Sequence, residues 1–511
     1  MSLVYVGHRL KIQEVIKVAR NFEKVEIPED VLKRMEKSRK KVESVLSQEK
    51  VVYGVNTGFG ALATVKISKE ELLKLQENII LSHACGIGDP LSEDIVRAAM
   101  LLRAHSLALG FSGVRPIVVE KLCELLNKRI TPFVPSKGSV GASGDLAPLS
   151  HIALVLLNKG YVYVDGKAIP TQEVTAKLGF EPLQLAEKEG LSLVNGTQAM
   201  TAILALCIND CLNMVELATR IAALSSDILF ASPDAYSKVV GIARPHRGQK
   251  IVAKMLEKLF QGSKIRESHK NCLRVQDAYS LRCIPQVYGV VLDTIFYALN
   301  IAEIEMNSAT DNPLVYEDEI ISQGNFHGEP IALVADFLTI ALTSFGNMIE
   351  RRIDRLVNPK TNEGLPAFLT PHSGTNSGYM IWQYTAAALC NENKILSHPA
   401  SCDTIPTSAY QEDHVSMGMN ACLKLLKVID NVTSLLAIEA MCAIRALRFR
   451  RPLTTSPENE KLVSQIEPLL IDKLEDEFMY DQFVSVKDFL QKKIKNVYNE
   501  WWLDYEGDDN L

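Results

Sequence analysis

Gln198-Ala199-Met200-Thr201-Ala202-Ile203-Leu204-Ala205-Leu206-Cys207-Ile208-Asn209-Asp210-Cys211-Leu212 opens a run that reaches Ala231 without a glycine or a proline. Apolar residues return at the helical interval through Ala202, Ala205, Leu206, Ile208, Leu212, Val215 and Ala218. At ~1.5 Å per residue a helix of this length spans roughly 45–50 Å. Asp210, Glu216, Arg220 and Asp227 interrupt the apolar pattern, which suits a helix inside a bundle better than one crossing a bilayer. The same period predicts long helices near 286–308, 331–355, 376–397 and 416–446, and little of the chain alternates with the period of a strand. The expected fold is all-α, with a bundle of very long helices at its core.

The rest of the chain is read outward from that bundle. At 511 residues it exceeds a single core, and the division expected is an N-terminal domain, 1–195, followed by a long-helix domain, 196–511. Near the N-terminus two stripes recur at helical spacing, Ile12, Val15, Ile16 and Ala19, then Val31, Met35, Ser38, Val42 and Val45. Further helices are expected near 69–85, 94–109 and 114–128, and Gly160-Tyr161-Val162-Tyr163-Val164-Asp165-Gly166-Lys167 reads as a small hairpin turning at Asp-Gly.

Apolar residues make up 47% and charged residues 23%, the balance of a soluble globular protein. The net charge of −6 and the lack of a basic tract argue against nucleic acid as the main partner. Met1-Ser2-Leu3-Val4-Tyr5-Val6-Gly7-His8 has no basic segment followed by an apolar run, so no secretory signal is read. The ten cysteines stand singly, and Cys207 and Cys211 would share one helix face as buried thiols. Together these point to a cytoplasmic protein, without membrane or nucleotide. No metal is expected either, since His327-x-Glu329 alone is too sparse for a ligand set.

The stretch that carries chemistry is Lys137-Gly138-Ser139-Val140-Gly141-Ala142-Ser143-Gly144-Asp145-Leu146-Ala147-Pro148-Leu149-Ser150-His151. A glycine amide following a serine is free enough to attack the carbonyl of the residue before that serine. Cyclisation with loss of two waters would turn Ala142-Ser143-Gly144 into a methylidene-imidazolone, an electrophile that no ordinary side chain supplies. Taken locally, the same residues also read as a turn with Ser143 or Asp145 capping a helix. They are not a nucleophile elbow, because Asp145 stands where Gly-x-Ser-x-Gly needs its second glycine. Tyr53-Gly54-Val55-Asn56-Thr57-Gly58-Phe59-Gly60 only loosely imitates a dinucleotide fingerprint, with no βαβ alternation around it.

Several blocks together resemble the aromatic amino acid ammonia-lyases, and most closely the branch acting on histidine. These are Gly138 to His151, the Tyr53 loop, Ser82-His83-Ala84, Gln276-Asp277-Ala278-Tyr279-Ser280-Leu281-Arg282, Asp311-Asn312-Pro313, Asn325-Phe326-His327-Gly328-Glu329 and Gln411-Glu412-Asp413-His414-Val415-Ser416-Met417. Matching stretches run from about residue 50 to 450.

The resemblance implies non-oxidative removal of ammonia from L-histidine to give trans-urocanate, with 4-methylidene-imidazol-5-one formed from Ala142, Ser143 and Gly144. It implies Tyr53 as the base and Tyr279 as a second hydroxyl. Arg282, a planar fork, would take the substrate carboxylate. Asn195 and Gln276 would orient the prosthetic carbonyl and the substrate, with Phe326 beside it. His83 and Glu412 would face an imidazole, a sensible partner for a carboxylate. A tyrosine or phenylalanine ammonia-lyase, or a 2,3-aminomutase, is the alternative within this chemistry, and a non-catalytic helical assembly protein the alternative outside it. Tyr410 and Trp382 depart from the family's usual residues and would alter substrate choice if they lined the pocket. The resemblance further implies a homotetramer whose sites each draw on three subunits. The helices near 198–231 and 416–446 are expected to offer the broad apolar faces for that assembly.

Overall fold

The computed structural model describes residues 3–47, 69–270, 274–317, 319–471 and 473–506. The Tyr53 loop lies outside them. The long helices are Gln198–Ile228, Ile284–Met306, Glu329–Val357, Met380–Leu396 and Gly418–Arg450, so the all-α expectation holds. The Met380–Leu396 helix starts later than its sequence pattern suggests. The amides of Ser377 and Gly378 donate to the Asp476 carboxylate at 2.7 and 2.8 Å, which spends them outside the helix.

Contacts group the chain into two compact units. One gathers Met1–Leu206, Leu299–Asp336 and Pro399–Leu423; the other gathers Cys207–Ala298, Phe337–His398 and Lys424–Leu511. The opening stretch of the first unit ends at Leu206, where the sequence reading places its division after residue 195, and two later segments join it.

In the first unit the N-terminal stripes are buried as their spacing requires, with Ile12, Val15, Ile16, Ala19, Val31, Met35 and Val42 out of solvent. The helix Ile12–Arg20 packs on Glu93–Ala108. The helix Leu146–Leu156 packs against Lys69–His83 and Glu189–Val194, which also touch each other. This trio brings the start of one helix, the end of the second and the exit of the third into one neighbourhood. Strands are minor: among the described residues they form four two-stranded sheets. The predicted hairpin pairs Tyr161 with Pro170, and its turn residues Asp165 and Gly166 stand at φ 50° and 74°, the mirror-image turn that suits twisted strands.

In the second unit Arg352 and Glu439, both fully buried, pair at 2.6 Å, and Ser225 Oγ donates to the same carboxylate at 2.8 Å. A buried pair of this kind gains its stability only when both partners and the added hydrogen bonds are present. Asp227, read from sequence as an interruption of an apolar helix, is buried and accepts from Ser263 Oγ at 2.7 Å and Thr455 Oγ1 at 2.5 Å. The helices Gln198–Ile228, Ile284–Met306 and Glu329–Val357 are long and apolar enough to cross a membrane by length and composition. In Gln198–Ile228 the most apolar window is 89% buried within the protein.

One expectation about surfaces needs correction. Gln198–Ile228 and Gly418–Arg450 bury nearly all of their apolar side chains, so they do not carry the uncovered faces. Exposed apolar side chains sit instead on Ile284–Met306, at Val290, Tyr297 and Ile304, and on Met380–Leu396, at Ile381, Tyr384 and Ile395. Spacings of seven, or of three and eleven, place each set on one stripe of its helix. Sequence periodicity alone cannot distinguish an apolar stripe covered by its own chain from one left open.

Candidate active site

The loop from Ser139 to Asp145 is held by contacts that its glycines permit. Gly144 stands at φ 74°, and a Cβ built there would lie 2.1 Å from the Gly196 carbonyl oxygen. The two glycines form a parallel bridge, and the next amide, of Asp145, donates to Gly196 O at 2.7 Å. Asp145 closes the loop from inside. Its Oδ1 accepts from Ser139 Oγ at 2.8 Å, and its Oδ2 accepts from the Met200 amide at 2.8 Å, in the first turn of the Gln198–Ile228 helix. Burial pushes the Asp145 carboxyl up to about 6, against the hydrogen bonds that favour its charge.

Asn195 ends the Glu189–Val194 helix and works in three directions. Its Nδ2 donates to the Ser143 carbonyl at 2.8 Å, its Oδ1 accepts from the Asn312 amide at 2.7 Å, and its own carbonyl accepts from Arg103 Nη1 at 2.6 Å. Because the acceptor oxygen is taken by a main-chain amide, the side-chain nitrogen must face Ser143. Next to Asn312, Asp311 is fully buried and accepts from Lys188 Nζ at 3.0 Å and Ser112 Oγ at 2.8 Å. Burial alone would raise the Asp311 carboxyl, but the charges of Lys188 and Arg103 outweigh it and hold the group below the ordinary carboxylate value.

Glu412 arrives on a tight turn in which Thr407 and Glu412 bridge each other and Ser408, Ala409 and Tyr410 all have positive φ, between 49° and 66°. Its Oε1 accepts from Ser143 Oγ at 2.5 Å and its Oε2 from Thr407 Oγ1 at 2.6 Å. His83, the last residue of its helix, is half-buried. Burial lowers its pKa, and the negative charge of Glu412 pulls the other way. A net downward shift keeps the imidazole neutral near pH 7. Phe326, half-buried, lies two residues before Gly328, whose amide donates to the Gly141 carbonyl at 3.0 Å.

Of the residues singled out in the sequence, Ala142, Ser143, Gly144, Asn195, Glu412, His83 and Phe326 are therefore in the first unit, and the first five are joined by the loop itself or by direct bonds. Gln276, Tyr279 and Arg282 belong to the second unit. There the motif is pinned by Asp277, which accepts from the Ser232 amide at 2.6 Å, and by buried Leu281, while Tyr279 is 73% exposed. Tyr53 is outside the described residues. Sequence reasoning gave no role to Thr407, Asn312 or Arg103. Asn312 had a signal, its place in the Asp-Asn-Pro block; Thr407 and Arg103 had none, because nothing local marks their distant partners.

A serine with its carbonyl and hydroxyl both gripped, inside a loop of glycines on a helical scaffold, is the frame of an ammonia-lyase. The sequence profile of the aromatic amino acid lyase family matches residues 10–468, and the chain belongs to that family. It is 46% identical to the histidine ammonia-lyase of Koribacter versatilis, over 95% of this chain and 97% of that one. Among solved structures, the tyrosine aminomutase of Streptomyces globisporus superposes with a TM-score of 0.93 at 36% identity, covering 99% of this chain and 98% of that one. The histidine ammonia-lyase of Trypanosoma cruzi superposes with a TM-score of 0.89, also at 36% identity, covering 100% and 99%.

Proposed function

We propose that this enzyme removes ammonia from L-histidine without oxidation, giving trans-urocanate, the opening step of histidine breakdown. The observation that carries the reading is the Glu412 carboxylate at 2.5 Å from Ser143 Oγ, with the neutral His83 imidazole within its electrostatic reach. Both are polar groups that an imidazole ring can satisfy. A phenyl or phenol ring would offer no donor to Glu412 Oε1. That oxygen loses the Ser143 hydroxyl when the prosthetic ring forms, and only the Thr407 bond on the other oxygen is kept. An acceptor covered without a donor is costly.

The residues present fit a 4-methylidene-imidazol-5-one at Ala142-Ser143-Gly144. Position 144 has no room for a side chain, and Asn195 Nδ2 already donates to the Ser143 carbonyl that such a ring retains. When formed, the ring supplies an electrophilic carbon derived from Ser143 Cβ. The other work falls to the chain's own side chains. Tyr53 takes the substrate's Cβ proton. Its ordinary pKa near 10 must then fall by roughly three units, or about 4 kcal/mol of local electrostatics. Arg282 holds the carboxylate with two parallel N–H bonds, Tyr279 handles a second proton, Gln276 orients the substrate and Phe326 flanks its ring.

The second reading within the family is a tyrosine or phenylalanine ammonia-lyase, or a 2,3-aminomutase, prompted by the likeness to the tyrosine aminomutase. Of the two departures noted in the sequence, Trp382 packs on Phe483 with ring centroids 5.3 Å apart, while Tyr410, 80% exposed, stands on the turn that presents Glu412.

We further read the enzyme as a cytoplasmic homotetramer with shared sites. The exposure of Tyr279 and the open apolar stripes at Val290, Tyr297 and Ile304 and at Ile381, Tyr384 and Ile395 support assembly. The nine described cysteines all stand outside disulfides, which suits a reducing compartment. Histidine, tyrosine and phenylalanine supplied separately test the substrate, with urocanate or cinnamate-type absorbance as the readout. Turnover of histidine far above the other two is expected; equal or faster turnover of tyrosine or phenylalanine overturns the assignment.

A further inference from the structure

His327-x-Glu329 is too short a motif to read as a ligand set, but the fold adds a third member. His327, Glu329 and His414 each present one ligand atom, and the three atoms lie within 4.8 Å of one another. The two imidazoles are stacked, with centroids 5.4 Å apart and planes 6° from parallel. His327 Nε2 faces the His414 carbonyl at 3.2 Å, the outer bond by which a metal-binding histidine is commonly fixed in one tautomer. Its Nδ1 accepts from the Glu329 amide at 3.4 Å, a long contact that a metal would readily displace. Glu329 Oε2 is buried with no hydrogen-bond partner, an acceptor left without a donor. His414 is exposed, which gives an ion a route in.

From these observations we propose that His327, Glu329 and His414 form a site for a divalent cation of the zinc type, with water completing the shell. Two imidazoles and one carboxylate are a zinc-type donor set. A tetrahedral ion at about 2.0–2.1 Å from each donor needs donors roughly 3.3 Å apart, so the donors, now within 4.8 Å of one another, would have to draw closer on binding.

The placement gives such an ion a consequence. The segment carrying His327 and Glu329 reaches the loop through the Gly328 amide on Gly141 O at 3.0 Å. The segment carrying His414 reaches it through Ser416 Oγ on Gly141 O at 2.9 Å and the Met417 amide on Val140 O at 2.8 Å. An ion joining the two segments ties together the two that meet the loop at Gly141 O, and restrains the backbone that presents Glu412. It holds the frame and takes no part in bond breaking, and the site stands whether or not histidine is the substrate.

The test uses the full chain with Co²⁺ and Zn²⁺ as probes, exposed thiols having been alkylated. Expected are one ion per chain after equilibrium dialysis, visible Co²⁺ absorption of a four- or five-coordinate site, and bleaching of that absorption by Zn²⁺. Glu329→Gln and His414→Ala should each weaken Co²⁺ binding at least tenfold while far-UV circular dichroism stays unchanged. Should His414→Ala fail to fold, His414→Gln and the near-isosteric Glu329→Gln decide. Wild-type protein that takes up neither ion, or variants that bind Co²⁺ as wild type does, overturns the proposal.

Discussion

Ser143 and Glu412, 269 positions apart in the chain, meet in a 2.5 Å hydrogen bond, and the second carboxylate oxygen of Glu412 is held by Thr407 at 2.6 Å. The carboxylate is thus fixed from behind while it faces the loop. Oriented in this way, it can recognise a substrate without paying again for its own immobilisation.

Replacing Ser143 by alanine removes the hydroxyl that dehydration would expel. Intact-mass measurement should find the wild type lighter than its encoded mass by two waters and Ser143→Ala at its encoded mass, with nearly all turnover gone and helicity kept. A wild type at full encoded mass and fully active would refute the prosthetic group.

Glu412→Gln should lower kcat/KM for histidine by roughly 100-fold, the scale of losing a hydrogen bond to a charged group, about 2–3 kcal/mol. Thr407→Val should cost only about fivefold, near 1 kcal/mol, because it loosens the carboxylate without removing it. Steady-state kinetics on both variants check the order; a larger loss for Thr407→Val would show that the turn, not the carboxylate, is what matters.

Asp145 gives a pH signature. Its carboxyl titrates at about 6 in the folded protein, chiefly because it is buried, and near 4 when unfolded. A raised folded value means that its contribution to stability is fully present below about pH 4 and is lost as pH rises through 6, a span of about 2–3 kcal/mol. The stability of wild type minus that of Asp145→Asn should therefore fall across this window. Urea midpoints that run parallel for the two proteins from pH 4 to 7 would exclude it.

Shared sites predict complementation. Tyr53→Phe and Arg282→Ala should each be nearly inactive alone, while co-expressed chains recover activity well above either parent, since some mixed assemblies hold both native residues at one site. Mixed tetramers that form and stay inactive would mean that each chain builds its own site.

Much of this was legible in the sequence, and the failures have physical causes. The uninterrupted apolar period after Gln198 marked a long buried helix, because helical spacing is a local property. The glycines around Ser143 marked a backbone needing close approach, but not what approached: Gly196 and Ser416 come from remote segments. Asp227 looked like a defect in an apolar helix and is a satisfied buried acceptor, since its hydroxyl partners Ser263 and Thr455 lie far along the chain. Glu412 was legible as a group facing imidazole, whereas the threonine that orients it lies across a turn of left-handed residues with no glycine to announce it.

The bridge between Gly144 and Gly196 has a consequence for the chain's history. A side chain at 144 would strike Gly196 O at 2.1 Å, and one at 196 would strike Gln198 Oε1 at 2.4 Å and Arg103 Nη1 at 2.6 Å. Neither position can be relieved by changing the other, since the obstacle at 144 is main chain and the obstacles at 196 are buried side chains already engaged elsewhere. To random mutation the two behave as one locus with a single permitted allele, and a saturation scan should recover glycine at both or no function at all.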